Sequence, residues 1–399
     1  MERVVIAGAS VGGLSVAREL RRSGFEGVIQ LVDPEPEAPY RRPSVSKAVL
    51  TGDNTPEDVT TPWPEDLELE RISGRVTELD LPGRTVTAVD GPSSLTLPFD
   101  GLVIATGSAA QPWPVDTGLD GVCTLRSLGD GLELRAALLE AERLVIIGAG
   151  FIGLEVAASA RKLGVAVTVV EAAEIPLSHA LGPMLGEHIA QCHRDHGVDI
   201  ICGAAVASLD GSGRVEAVSL ADGRRLEADL VLAAIGAAPV VDWLRSSGLD
   251  VSNGVMCDSA CAVLGTEGVV AAGDMANWFN PLYGQNMRIE HWTNAIQQGT
   301  YAARRLLGTA APEGFVSAPY FWSDQYDIKI QSIGVGVGYD EVHVLEQSER
   351  ELLIAYGRGG QLAGVAGVGG GTAINRYRRQ VEQRAPMDEI KAPATVGEA

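Results

Sequence analysis

Two glycine-rich loops, Gly8-Ala9-Ser10-Val11-Gly12-Gly13 and Gly148-Ala149-Gly150-Phe151-Ile152-Gly153, stand 140 residues apart in this 399-residue chain. Each follows an apolar run that reads as a buried parallel strand, Val4 to Ala7 and Leu144 to Ile147, and each opens a helix of small residues. A pyrophosphate demands this of a backbone. The first glycine makes the tight turn, the second lets the backbone approach the phosphates, and the third lets helix pack on strand. The helix N-terminus then faces the anion. Asp33 and Glu171 close the next predicted strands (Val28 to Val32 and Val167 to Val170), where a carboxylate grips ribose hydroxyls. One such loop is a weak signal, because many strand-to-helix turns are glycine-rich. Two loops, each with its acid about 20 residues on, predict two dinucleotide cradles in one chain.

The repeat also divides the chain. After the first unit comes an irregular stretch from Pro34 to Pro64, then strands ending in Val103-Ile104-Ala105-Thr106-Gly107. An apolar strand that closes on Ala-Thr-Gly predicts a return to the first sheet, its glycine giving way to a ligand. The second unit ends in the same manner at Ala234-Ile235-Gly236, so it reads as inserted within the first domain, over about 113 to 239. Val269 to Ala272 is a further buried strand that delivers Gly273-Asp274 to a strand end, where ligands sit in such sheets. A helix pattern covers 292 to 307. From about 315 the pattern alternates as strands and finishes in an Arg-rich helix around Tyr377, which predicts a smaller α+β domain. Pro386 to Ala399 lack any period and read as a loose tail. The fold class expected is therefore α/β: two Rossmann-like dinucleotide-binding domains, one inserted in the other, plus a C-terminal α+β domain.

Composition narrows the function. A net charge of −21 argues against nucleic acid, whose binding rests on cationic contacts to phosphate. Apolar runs are strand-sized and well short of the ~20 residues of a membrane helix, and Met1-Glu2-Arg3 leads straight into the first strand. Five scattered cysteines fit a reduced compartment, so a cytoplasmic location is expected. Lysine is rare, 4 against 27 arginines, which draws notice to Lys47 near a cofactor loop.

The order of these landmarks resembles the FAD-dependent NAD(P)H ferredoxin reductases of bacterial oxygenase systems, within the glutathione-reductase-like superfamily. The likeness covers nearly the whole chain. It rests on the two loops together with Arg42-Pro43-Ser44-Val45-Ser46-Lys47, Ala105-Thr106-Gly107, Gly273-Asp274, Glu290-His291-Trp292-Thr293-Asn294-Ala295 and Phe321-Trp322-Ser323-Asp324-Gln325-Tyr326. The last two strings are the specific ones, since ordinary disulfide reductases do not share them. Two departures stand out. The family's Arg-Pro-Pro-Leu-Ser-Lys appears as Arg-Pro-Ser-Val-Ser-Lys, and Ser10 replaces the second glycine of the first fingerprint, where its hydroxyl can donate to a phosphate oxygen.

The resemblance implies that residues 1–112 with 240–314 bind FAD, 113–239 bind NADH, and 315–399 form a C-terminal domain over the flavin. It implies that a hydride passes from NADH to FAD and that single electrons leave for an iron-sulfur ferredoxin serving an oxygenase. Lys47 matches a lysine beside the flavin's reactive edge, Glu155 its carboxylate partner; Asp274 would bond the ribityl chain, with helix N-capping as a second use, and Trp292 would lie against the isoalloxazine. Arg42 and His291 belong to the same cofactor strings. Glu171 accepts from both ribose hydroxyls and repels a 2′-phosphate, a unit repulsion of about 4 kcal/mol at ~4 Å and an effective dielectric of ~20. NADH is therefore expected over NADPH. Arg304, Arg305, Arg376, Arg378 and Arg379 are candidates for docking an acidic ferredoxin.

His188, Cys192 and His196 have a spacing that can hold zinc, but the segment lacks a second ligand pair, so no metal is expected. Cys257 and Cys261 flank a turn, whereas the superfamily's disulfide enzymes place cysteines after the first glycine loop or beside Ser44, where this chain has none. Electron transfer outward through the flavin remains. A redox-sensing binding module like the apoptosis-inducing-factor relatives is the alternative of a different class.

Overall fold

Residues 1–369 and 373–390 are described by a computed structural model, in which the chain divides into two units. The first gathers Met1–Tyr40, Thr60–Ala109 and Ala238–Pro319. Its centre is a five-stranded sheet in the order Val269–Ala271, Gly101–Ile104, Arg3–Ala7, Val28–Asp33, Leu69–Ser73, every neighbour parallel. Val4, Val5 and Ile6 are wholly buried because such a sheet is covered on both faces, which is why the strand reads as an unbroken apolar run. A three-stranded antiparallel sheet, Arg75–Asp80, Thr85–Asp90 and Ser93–Pro98, precedes the return strand Gly101–Ile104.

Helix Val11–Arg22 packs on helix Trp292–Leu306, and the backbones come close enough that a Cβ on Gly299 would press on the Gly12 carbonyl. Glu19 is buried on that seam. Arg22 and Arg304 hold it at 2.7 and 2.6 Å, and their bonds, that of Arg22 foremost, pull its carboxyl below the usual range.

The second unit gathers Arg41–Val59, Ala110–Ala237 and Tyr320–Ala399. It repeats the first pattern: a parallel sheet in the order Asp199–Ile201, Ala166–Val170, Arg143–Ile147, Leu230–Ala233, Val122–Cys123, with a three-stranded antiparallel sheet before the return strand. Helix Ser178–Asp195 is broken at Gly182 (φ 75°), just before Pro183. The last sheet is antiparallel, ordered Tyr320–Gln325, Ile328–Gly334, Gln361–Gly369, Leu352–Arg358, Glu341–Gln347.

The expected Arg-rich helix is shorter than its pattern, a 3-10 turn Ala373–Tyr377 followed by helix Arg378–Glu382. Part of the expected tail is built into the fold: Met387 and Ile390 are buried, and the Met387 amide donates to the Gly360 carbonyl at 2.9 Å. Two apolar side chains supply what periodicity could not reveal in so short a segment. The remainder of that tail, 391–399, lies outside the described residues. Among the described residues no helix is long and apolar enough to cross a membrane.

Candidate functional site

The two glycine loops have the same geometry. Gly8 and Gly148 adopt φ of +110° and +103°, and their amides donate to Val32 and Val170 carbonyls at 2.8 Å. A Cβ on either would collide with the backbone of the return strand, at the Ala105 carbonyl in one unit and the Ala234 carbonyl in the other. A Cβ on Gly13 or Gly153 would strike the carbonyl of the first glycine of its own loop. These four positions need glycine for packing.

The middle position differs. Gly150 has φ −76° and ψ 179°, open to any residue, yet no heavy atom lies within 4 Å of where its Cβ would stand. Glycine there keeps a space clear beside the helix N-terminus, the cradle a pyrophosphate needs. Ser10 occupies the corresponding place in the first loop, extended in backbone, half-buried, its hydroxyl making no capping bond. A Cβ on Gly12 would stand 3.8 Å or more from its nearest neighbours, an ordinary contact. Exposed Ile152 follows at the start of helix Phe151–Lys162.

The acids at the next strand ends clamp these loops in identical fashion. The Ala9 amide donates to Asp33 Oδ2 and the Glu35 amide to Oδ1 at 2.8 Å. The Ala149 amide donates to Glu171 Oε2 at 2.7 Å and the Ala173 amide to Oε1 at 2.8 Å. Each carboxylate thus stands at the mouth of its cradle, an acceptor suited to hydroxyl donors. Both cradles fit a dinucleotide.

In the first unit, Thr106 Oγ1 donates to the Val240 carbonyl at 3.0 Å and Gly107 turns with φ +69°. Gly273 (φ +74°) donates its amide to buried Gln298 at 2.9 Å, and Ser108 Oγ donates to Asp274 Oδ2 at 3.1 Å. Helix N-capping by Asp274 is corrected: Gly273–Met275 is a single 3-10 turn that runs into strand Ala276–Asn280, so there is no helix to cap. Trp292 begins helix Trp292–Leu306, half-buried, with His291 before it. Burial pushes the His291 imidazole down to about 4, opposed by the Asp274 carboxylate, so it is neutral near pH 7.

In the second unit lies the one buried ion pair that the sequence anticipated. Lys47 stands on a wide π-helical turn, Val45–Val49, a distortion often found at functional sites. Its Nζ meets Glu155 Oε1 at 2.7 Å and donates to the Pro43 carbonyl at 3.0 Å. Glu155 is 4% exposed and also accepts from the hydroxyls of Ser46 and, at 2.5 Å, Ser323. Sequence reasoning missed both serines, although each lies in a string that carried the resemblance. Arg42 donates to the Arg126 carbonyl at 2.7 Å, and Gly236 (φ +110°) accepts from the Gln111 amide at 3.0 Å.

Within the zinc-like spacing, His196 stacks on the Tyr326 ring at 3.7 Å, and its neighbour His193 is buried between Gln325 and Tyr326. Among the described residues no group of three His, Cys, Asp or Glu is placed to hold a metal. Cys257 and Cys261 are unpaired and buried, which raises both thiols, Cys257 to about 12. Of the docking candidates, Arg304 is engaged with Glu19, Arg378 lies 5.2 Å over the Tyr320 ring, and Arg305, Arg376 and Arg379 are exposed.

Comparison with known proteins agrees with this geometry. Residues 2–299 match the pyridine nucleotide-disulphide oxidoreductase family and 320–394 the reductase C-terminal domain. Putidaredoxin reductase of Pseudomonas putida is 34% identical over 97% of this chain and 93% of its own. The ferredoxin reductase component of chlorobenzene dioxygenase from Cupriavidus sp. (strain PS12) is 37% identical over 97% and 94%. The reductase in the covalent putidaredoxin reductase–putidaredoxin complex superposes with a TM-score of 0.91 at 33% identity, over 96% of this chain and 94% of that one. The twin cradles, their acid clamps and the antiparallel last sheet therefore place this chain in the pyridine nucleotide-disulphide oxidoreductase family, with a reductase C-terminal domain.

Proposed function

We propose that this chain is an NADH-dependent, FAD-containing reductase that delivers single electrons to an iron-sulfur ferredoxin serving an oxygenase. One observation carries the reading: two dinucleotide cradles of matched geometry occur in a chain that also holds a buried Lys47–Glu155 pair. We assign FAD to residues 1–112 with 240–314 and NADH to 113–239, leaving 315–399 as the C-terminal domain. The five cysteines, all free, suit the reducing cytoplasm, where we place the protein.

When bound, the flavin accepts a hydride from NADH and returns electrons one at a time. The chain's part is orientation and charge. Loop amides and the starts of helices Val11–Arg22 and Phe151–Lys162 receive the pyrophosphates. Asp33 and Glu171 accept ribose hydroxyls, and Glu171 turns away a 2′-phosphate. Thr106, Gly107, Gly273, Asp274, His291 and Trp292 bind the flavin moiety. Lys47 supplies a cation that favours the reduced, anionic flavin, and Glu155 fixes where that cation stands.

We assign the docking of an acidic ferredoxin to exposed Arg305, Arg376 and Arg379, with Arg304 a further candidate beside Arg305 on its helix. Short screening lengths let such local charge act despite the chain's net −21. Stopped-flow mixing with NADH, then with ferredoxins encoded nearby, tests the reading: bleaching of the yellow protein by NADH and its reoxidation by a ferredoxin are expected. Reversing Arg376 and Arg379 to Glu should slow ferredoxin reduction and spare ferricyanide reduction, whereas equal loss refutes the docking role. Slow turnover with every acceptor, together with dimerisation on NADH addition, refutes the reductase reading in favour of a redox-sensing module.

A further inference from the structure

The Lys47–Glu155 pair is the near end of a longer buried chain of polar groups within the second unit. Gln325 Nε2 donates to Ser323 Oγ at 3.1 Å, and Ser323 Oγ donates to Glu155 Oε1 at 2.5 Å. Gln325 Oε1 faces His193 Nε2 at 2.8 Å, and His193 Nδ1 faces the Tyr326 hydroxyl at 3.0 Å. The chain has only one consistent direction. The amide nitrogen of Gln325 points at the serine, so its oxygen must accept, and His193 must carry its proton on Nε2. Nδ1 is then an acceptor for the tyrosine hydroxyl. Every donor from Tyr326 onward is thereby aimed toward one carboxylate.

Burial enforces the arrangement. Ser323, Gln325 and His193 are each 1% exposed or less, so an unmade bond at any of them carries the full cost of desolvation. Burial also pushes the His193 imidazole down to about 4, with the Gln325 bond opposing, which keeps Nδ1 unprotonated near pH 7. The residues come from three elements distant in sequence: helix Phe151–Lys162, helix Ser178–Asp195 and strand Tyr320–Gln325 with its turn. Tyr326 adopts φ 52° in that turn, uncommon for a residue that is not glycine, and this conformation accompanies a hydroxyl directed back at His193. A core needing only volume would be met by apolar residues here.

We propose that His193 and Gln325 are positioning residues for the Lys47–Glu155 pair, orienting the Ser323 hydroxyl so that the negative charge of Glu155 is shared between donors instead of falling wholly on Lys47. The proposal rests on the reading of Lys47 as the flavin's cation. With the chain broken, Glu155 neutralises Lys47 more fully and the site favours the reduced flavin less.

The test uses the FAD-loaded protein and the variants His193→Phe, which keeps volume and removes both bonds, and Gln325→Leu. The expected result is a flavin midpoint potential more negative by about 30 mV, a tenfold change for a two-electron couple. The limiting rate of reduction by NADH should fall about tenfold, the worth of one charge-assisted hydrogen bond, with the apparent NADH affinity within twofold of the parent. The double variant should be no worse than either single one, because the chain acts as a unit. His193→Asn, which keeps a donor and an acceptor, should recover part of the potential. Where a larger change prevents folding, Ser323→Ala carries the same expectation. A potential that is unchanged or raised in variants that bind flavin overturns the proposal while NADH still reduces the parent. A parent that binds flavin and is not reduced by NADH overturns the underlying reading as well.

Discussion

Replacing Glu155 by Gln removes one charge and almost no volume, so it isolates what the carboxylate does for Lys47. The pair is 2.7 Å apart, and a gross attraction of about 5 kcal/mol follows at a ~3 Å separation and an effective dielectric of ~20. Much of that is offset by the desolvation both groups undergo, yet a buried cation stripped of its partner costs about 3–5 kcal/mol. The lower end applies here, because the Lys47 side chain is 19% exposed and its ammonium keeps the Pro43 carbonyl. About 3 kcal/mol is therefore expected. With an unfolding entropy of roughly 2 cal/mol/K per residue, that lowers the melting temperature by about 3–4 °C if the chain melts as one. Differential scanning calorimetry of the parent, Glu155→Gln, Lys47→Met and the double variant measures it. Lys47→Met should be the worst single change, since it strands a carboxylate with only serine donors, and the double variant should recover about 2 kcal/mol of the summed loss. Strict additivity, with Glu155→Gln melting within 1 °C of the parent, would show that the two groups are neighbours without being partners.

Gly150→Ala and Gly153→Ala should separate folding from binding: the first meets no atom within 4 Å and should melt like the parent while NADH affinity falls tenfold or more. Gly153→Ala drives a methyl into the Gly148 carbonyl and should lower the melting temperature itself, which thermal melts beside NADH titrations will distinguish. His193 and His291 are both depressed to about 4 by burial, against about 6.5 in the unfolded chain. The unfolded state takes up protons first, so their contribution is complete above about pH 6.5 and is lost as pH falls toward 4, at about 1.4 kcal/mol per pH unit for each histidine. Glu19, also depressed, adds loss in the same direction at lower pH. Melting temperature followed from pH 8 to 4 should show this decline, at a visibly smaller slope in His193→Asn; an unaltered slope in that variant contradicts the assignment.

Much of the fold was legible because its signals are local. An unbroken apolar strand, a glycine that must turn and an acid two strands' length later are each written within a few residues, and their repetition at an offset of 140 announced the second cradle. Lys47 and Glu155 were found through likeness to a family, since 108 positions separate them and no periodicity links such a pair. Ser46 and Ser323 escaped notice for the same reason: a serine is a common residue, and only the tertiary fold aims both hydroxyls at one carboxylate. Asp274 shows the reverse error. Its residue type suits a cap, but the helix it would cap does not form, because Ala276–Asn280 pairs as a strand with Gln285–Arg288. Arg304 reads from sequence as a docking charge, and its pairing with Glu19 on a facing helix is visible only in the fold.

The arrangement of the two parallel sheets has a consequence for how this polypeptide matures as it leaves the ribosome. The five parallel strands of the second unit all fall between Val122 and Ala233, whereas the first unit begins at the N-terminus yet lacks its edge strand until Ala271 and its covering helix until Leu306. Emerging N-terminus first, the chain completes the nested sheet before its host. The opening strand and helix, with Glu19 still lacking Arg304, must wait through some 280 further residues of synthesis before their sheet and its covering helix are complete.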